Sequence, residues 1–313
     1  MKIPNVVVIG GGTGLSVLLS GLKVFPVNIT AVVAVTDDGG STGKLREMYD
    51  IPAMGDIRKV LTSLSDSKKM FETIMEYRLE KVDGHTIGNL MLTALIEETG
   101  SLTEATRMLS KVLKINGKVL PAVEDNAVLE GVTINGDVVS GETNIDKCPV
   151  QIDYIQYHDD PVISDEVASA YENADLIILS TGSLFTSIIP PIIPQKAREA
   201  ILNSKAKKIY VCNAMSSSEV YKYNVSDFIN KLNQHIGQEF LDAVICNRTE
   251  VPYEIQELYL CESAYPVYTD KENIKNVELI ESDMIHFEDN VVRHKSFKVA
   301  SVIFTYLLNQ EEN

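Results

Sequence analysis

The sequence predicts an α/β protein with a mostly parallel sheet, helices on both faces and a small antiparallel excursion. Three observations predict it. Short apolar runs alternate with stretches of helical periodicity. The first run, Val6-Val7-Val8-Ile9, enters a glycine knot, Gly10-Gly11-Gly12-Thr13-Gly14, and leaves it in a helical pattern from Leu15. Five strand-like runs end in small, polar or acidic residues, where an open parallel sheet leaves a crevice for ligands.

Each element follows in order. Residues 4–9 read as a strand, 14–23 as a helix and 28–35 as a second strand. These runs do not alternate apolar with polar, as suits strands covered on both faces. Residues 56–65, 68–80, 86–98 and 102–114 carry helical spacing, and Asp56 reads as an N-cap. Residues 118–157 break the alternation. There Asn135-Gly136 lies between Val132-Thr133-Ile134 and Asp137-Val138-Val139, and suits the φ > 0 positions of a type I′ hairpin turn. We read 118–157 as a β-rich insertion in a single domain spanning 1–313. A strand at 175–180, a helix near 192–204, a strand at 207–212, a helix at 225–236 and a strand at 241–246 resume the pattern. An apolar helix over 296–308 packs on the sheet.

With 313 residues, 45% of them hydrophobic, the chain can bury a large core. Its 28 basic residues against 44 acidic ones give a net charge of −16, which argues against nucleic-acid or anionic-membrane binding. No apolar run approaches the ~20 residues of a membrane span. Met1-Lys2-Ile3-Pro4 leads directly into the first strand, so a cytosolic protein without a secretory leader is expected. The cysteines form no Cys-x-x-Cys pair, and Cys212 and Cys246 end apolar runs as small buried hydrophobes.

The glycine knot is the first candidate site. Glycine permits positive φ and close approach of the backbone to a ligand. The following helix aims its free N–H groups and positive dipole end at the loop, which suits phosphate. The Gly-x-Gly-x-x-Gly dinucleotide spacing is not met, since Leu15 stands where the third glycine belongs. The second strand runs into Asp37-Asp38-Gly39-Gly40-Ser41-Thr42-Gly43. Asp37 and Asp38 suit ribose hydroxyls, a Mg²⁺ ion or a simple turn. Lys44, Arg46, Arg58 and Lys59 are local cations suited to phosphate in an acidic chain. Thr181-Gly182-Ser183, Asn213 and Asn247 end later strands. His85 has no second histidine or cysteine at metal-ligand spacing, and no Gly-x-Ser-x-Gly elbow occurs.

Several motifs together resemble the bacterial gluconeogenesis factor family, which is related to the 2-phospho-L-lactate transferases. They are Gly-Gly-Gly-Thr-Gly-Leu-Ser at 10–16, Asp-Asp-Gly-Gly-Ser-Thr-Gly-Lys-Leu-Arg at 37–46, Gly-Asp-Ile-Arg at 55–58 and Ile-Gly-Asn-Leu-Met-Leu at 87–92. Gly-Ser-Leu-Phe-Thr-Ser-Ile at 182–188, Val-Cys-Asn at 211–213 and Val-Arg-His at 292–294 complete the set. The resemblance implies a Rossmann-like fold and a cytosolic protein that binds a nucleotide sugar such as UDP-N-acetylglucosamine, or another nucleotide diphosphate. It implies a regulatory role in cell shape and cell-wall synthesis on gluconeogenic carbon sources, with cell-wall synthesis proteins as partners, and it leaves a homo-oligomer open. The ligand-binding set is then Gly10, Gly11, Gly12, Thr13, Gly14, Asp37, Arg58, Asn89, Gly182, Ser183 and Asn213. In the transferase relatives paired aspartates bind a divalent metal, which carries over to Asp37 and Asp38 with Mg²⁺; no other cofactor is expected. The chain departs from the family's pattern after Asn213, where Ala-Met-Ser-Ser-Ser-Glu-Val replaces a loop ending in Gly-Glu-Thr, and at Thr86 and Thr181.

Overall fold

The computed structural model describes residues 3–66 and 69–311. β1 (Asn5–Gly10) runs into α1 (Thr13–Leu22) and β2 (Asn28–Val33). Then come α2 (Gly40–Tyr49), α3 (Gly55–Leu64), α4 (Lys69–Glu76), the two-residue strands β3 (Arg78–Leu79) and β4 (His85–Thr86), α5 (Ile87–Thr99) and α6 (Leu102–Leu113). β5 (Lys118–Pro121) precedes β6 (Leu129–Thr133), β7 (Val138–Ser140), α7 (Glu142–Asp146) and β8 (Ile152–Tyr157). α8 (Asp165–Glu172), β9 (Leu176–Leu179), a π-helical turn (Leu184–Ile188), α9 (Gln195–Asn203), β10 (Lys207–Val211), α10 (Val225–Ile236) and β11 (Ala243–Asn247) follow. The chain closes with α11 (Tyr253–Leu260), β12 (Glu278–Ser282), the hairpin β13 (Ile285–Glu288) and β14 (Val291–His294), and α12 (Ser296–Glu311).

Among the described residues the main sheet has seven strands in the order β12-β11-β10-β9-β1-β2-β5, all parallel. Consecutive side chains on a strand face opposite ways. Val6 to Ile9, Leu176 to Leu179 and Ala243 to Cys246 are buried without a break, so both faces of the sheet are covered. Cys212 and Cys246 are buried as expected. β1 pairs with β2 on one side and β9 on the other. Winding reverses there, and a crevice at the carboxyl ends is the geometric result.

Four expectations change. Residues 118–121 pair in parallel with β2 as the edge strand of the main sheet, so the antiparallel excursion proper is β7-β6-β8. Its hairpin forms, but not through a type I′ turn: only Gly136 in the turn has positive φ, at 85°. Gly136 N–H donates to the Thr133 carbonyl and Thr133 N–H to that of Asp137, a three-residue loop closed by a left-handed glycine. The residues from Gly40 to Tyr49 form α2, a helix absent from the expected elements. Apolar periodicity could not reveal it, because only Thr42, Leu45 and Arg46 are buried along it. The helix expected over 68–80 is α4, and residue 68 lies outside the described residues. No described helix is long and apolar enough to cross a membrane.

Candidate functional site

The glycine knot is packed shut. None of Gly10, Gly11, Gly12 and Gly14 has positive φ, contrary to the expectation from sequence. What each lacks is room for a Cβ. At Gly10 a Cβ would lie 2.2 Å from Ser180 Oγ, at Gly11 2.5 Å from Ser187 Oγ, and at Gly14 2.0 Å from the Thr181 carbonyl oxygen. At Gly12 it would lie 2.2 Å from Asp56 Oδ1. Asp56 does not cap its own helix, whose N-cap is Met54. Its Oδ2 instead accepts the Gly12 N–H at 2.6 Å, at the start of α1, while Lys59 Nζ donates to Oδ1 at 2.9 Å. An internal carboxylate thus sits where a phosphate was expected. Thr13 beside it is exposed.

The turn after β2 is open. Gly40 has φ 49° and nothing within 4 Å of its Cβ position. A cavity of about 570 Å³ lies beside it, bounded by Thr36, Asp38, Gly39, Gly40, Gly43 and Lys44 from one side and by Asn126, Gly141, Thr143 and Asn144 from the excursion. Arg46 faces inward with its guanidinium committed to Asn126 Oδ1, the Thr36 carbonyl and the Ala127 carbonyl. Lys44 is exposed at the cavity wall.

Carboxylates crowd the floor between this turn and α7. Asp38 Oδ1 accepts from Thr143 N–H at 2.8 Å and Thr143 Oγ1 at 2.6 Å. Asp37 Oδ1 accepts from Gly39 N–H at 2.9 Å; burial, with the charges of Asp56 and Asp38 nearby, raises its pKa. Burial pushes Glu142 up to about 9 and Asp146 up to about 6, each helped by neighbouring acids. Thr36 Oγ1 lies 2.8 Å from Glu142 Oε2 and 3.2 Å from the Thr186 carbonyl. A hydroxyl has one proton to give. A neutral Glu142 donating to Thr36 frees Thr36 to donate to Thr186, which satisfies all three groups.

Asp37 and Asp38 do not converge. The second oxygen of Asp37 faces Gly55 at the start of α3, and that of Asp38 faces Gly141 before α7. Among the described residues no group of three or more His, Cys, Asp or Glu side chains is arranged to hold a metal ion. The aspartate pair as it stands does not fit one magnesium ion.

At the ends of β9 and β10 the expected residues meet and satisfy one another. Gly182 N–H donates to Asn213 Oδ1 at 3.0 Å, and Asn213 Nδ2 donates to the Gly182 carbonyl at 2.7 Å. Ser183 Oγ donates to Glu219 Oε2 at 2.9 Å and accepts from Thr186 N–H at 3.1 Å. Burial raises Glu219 to about 7. Glu219, Glu142, Asp146 and Thr143 were missed from sequence because they sit in a three-residue 3₁₀ turn or a five-residue helix, each too short to show an apolar pattern.

Two expected residues lie elsewhere. Arg58 is buried between helices, where it pairs with Glu76 and packs its Cδ on Gly88. Asn89 is buried on α5, its N–H capped by Thr86 Oγ1 and its Oδ1 without a hydrogen-bond partner. His85, buried as well, lies 2.6 Å from Ser41 Oγ through Nδ1 and ties β4 to the start of α2.

A doubly wound parallel sheet with a polar, acid-lined crevice at its carboxyl ends defines a Rossmann-like α/β protein. The profile of the 2-phospho-L-lactate transferase CofD family matches residues 6–285. A gluconeogenesis factor of Bacillus subtilis (strain 168) is 42% identical, covering 97% of this chain and 98% of its own. A putative gluconeogenesis factor of Thermotoga maritima is also 42% identical, covering 96% and 98%. A crystal structure of a Bacillus halodurans protein superposes with a TM-score of 0.94 at 38% identity, over 97% of this chain and 100% of that one. The chain therefore belongs to the family of CofD and the gluconeogenesis factors.

Proposed function

We propose that this chain is a cytoplasmic nucleotide-sugar-binding regulator of the gluconeogenesis factor type, built as one nucleotide-binding domain. Its ligand resembles UDP-N-acetylglucosamine, and its output is control of cell shape and cell-wall synthesis on gluconeogenic carbon sources. The observation that carries the reading is the roughly 570 Å³ cavity at the carboxyl end of β2. It has the size of a small-molecule site. It offers an exposed cation at Lys44, the first turn of α2 and the side-chain amide of Asn144. The ligand's diphosphate lies between the starts of α1 and α2, and its sugar enters the cavity beside the excursion. Binding rather than turnover is favoured because the surrounding groups hold one another: Asp38 with Thr143, Asn213 with Gly182, Ser183 with Glu219.

A magnesium-dependent phosphotransferase is the second reading. It is favoured by the buried carboxylates Asp37 and Glu142, whose pKa is raised first by burial and further by the neighbouring acids, a charge crowding that a cation would relieve. It requires the aspartates to rearrange toward one ion.

Calorimetric titration with UDP-N-acetylglucosamine, UDP-glucose and GDP, with and without Mg²⁺, tests both. Metal-independent binding of a uridine sugar recovered unchanged supports the regulator. No saturable binding of any nucleotide sugar at millimolar concentration removes it, and Mg²⁺-dependent GDP binding moves the assignment to the transferase.

A further inference from the structure

We propose that the protein carries a second ligand site at the β5 edge of its sheet, a cavity between α6, β5 and α8 that takes the phosphate ester of a small organic molecule. The proposal stands apart from the nucleotide reading. This cavity measures about 420 Å³, within the range of small-molecule sites, and shares no lining residue with the one beside Gly40. Its walls are cationic. Arg107, Lys111 and Lys114 line it from one stripe of α6, at intervals of four and three residues that stack on a helix face. Lys118 lines it from the start of β5. Four of the chain's 28 basic residues thus meet here, with Glu166 of α8 as the one acid lining the cavity, in a protein of net charge −16. Cations gathered on one wall repel one another, and a bound anion relieves that repulsion.

Two of the four cations are committed within the protein. Arg107 pairs with Glu104 and Glu166, and Lys118 Nζ lies 2.8 Å from Glu166 Oε2, so Glu166 ties the helix to the strand. Lys111 and Lys114 are exposed and, among the described residues, belong to no ion pair. Setting Glu104 and Glu166 against the four leaves two positive charges uncompensated. A phosphate monoester carries roughly −1.5 to −2 at neutral pH and fits that balance. The helix dipole accounts for Lys111 in the last turn of α6, but not for Arg107, for Lys118 on the strand or for the hollow between them. Lys114 stands as the C-cap with φ 49°, where backbone geometry alone would select glycine. The floor is apolar: Val119 and Leu120 are buried and Ile115 is half-buried. A carbon body packs there, whereas inorganic phosphate leaves most of the cavity unfilled. An extended peptide is the other occupant an edge strand invites. Pro121 has no N–H to offer it, and Val119 and Leu120 are already covered, which favours a compact ligand.

The test titrates glucose 6-phosphate, inorganic phosphate and glucose against the full chain by calorimetry at low salt. The ester should bind saturably, inorganic phosphate more weakly and glucose not at all. Lys111→Gln combined with Lys114→Gly changes two exposed residues, the second to one that suits its left-handed φ. The pair should weaken the ester at least about tenfold and leave binding of UDP-N-acetylglucosamine unchanged. No ester binding at millimolar concentration overturns the site, as does a double variant that binds the ester like the parent. Inorganic phosphate bound as tightly as the ester overturns the organic body. Binding of hexaglutamate without binding of the ester makes the cavity a peptide groove and overturns the proposal too. If the double variant does not fold, the parent still decides, by lysine acetylation read in a mass spectrometer. The ester should protect Lys111 and Lys114 and leave Lys44 reactive; equal labelling with and without it overturns the site. The two readings fail separately. A parent that binds the ester and no nucleotide sugar keeps this site and loses the regulator of the previous section, and the opposite pattern does the reverse.

Discussion

Two glycine-rich turns follow neighbouring strands and do opposite things. The turn after β1 is filled: every one of its glycines has a protein atom where a Cβ would go. The turn after β2 opens at Gly40, which takes a left-handed conformation, faces nothing and borders a cavity of about 570 Å³, although Gly43 behind it is packed on the Asp38 carbonyl. A run of glycines therefore reports close approach, but not of what. At Gly14 the approaching atom is the Thr181 backbone, and at Gly12 it is a carboxylate.

The comparison can be broken most directly by adding one methyl group to each turn. Gly14→Ala must displace a backbone carbonyl, and we expect a loss of about 3 kcal/mol or more in urea unfolding. Gly40→Ala meets no atom and should cost about 1 kcal/mol for its left-handed backbone. Equal costs would refute the contrast between a filled and an open turn.

The excursion that roofs the open turn is sensitive to pH in a definite direction. Glu142 holds its proton to about pH 9 in the fold and, unfolded, titrates near the ordinary glutamate value of 4.5. Between those values the folded state binds more protons, so the contribution of Glu142 to stability falls as pH rises. Melting temperature should drop from pH 6 to pH 9. Glu142→Gln, which cannot ionise, should flatten that drop and exceed the parent at pH 9 by on the order of 1–3 kcal/mol. A parent curve that rises with pH would contradict the buried, neutral acid.

Smaller effects refine the picture. Thr143→Val removes the hydroxyl bond to Asp38 and leaves the backbone one. It should cost about 1.5 kcal/mol by chemical denaturation, as expected for a bond to a charged group. Lys44→Ala, at the exposed wall, should shift stability by under about 0.5 kcal/mol. It should nevertheless weaken nucleotide-sugar binding about tenfold by calorimetry, through loss of a charge-assisted contact. Unchanged affinity would place the diphosphate elsewhere.

Much of the architecture was legible in the sequence because parallel strands buried on both faces are continuous apolar runs, and Val6 to Ile9 or Ala243 to Cys246 have no other reading. The meeting of Gly14 with Thr181 and of Gly182 with Asn213 was legible too, from strand ends alone. Which of their polar atoms remain available was not. That Asn213 spends its amide on Gly182 depends on a contact across 31 residues of chain, and no spacing rule encodes it. Arg58 was misplaced because a cation beside Asp56 reads the same whether it faces the crevice or, as here, Glu76. α2 was missed since its helix rests on Gly43, where a Cβ would lie 2.1 Å from the Asp38 carbonyl, and not on an apolar stripe.

The place of β1 at the reversal of the winding has a consequence for how the chain is made. β1 leaves the ribosome ahead of the other strands of its sheet and β2 soon after, but its other neighbour comes late: Asn5 N–H reaches Asp175 across 170 residues of sequence. At synthesis rates of ~5–20 residues per second, that edge of β1 waits roughly 10–30 s for its partner. During that interval an apolar strand with unpaired backbone groups faces solvent or a chaperone, and the nascent chain is most open to aggregation then.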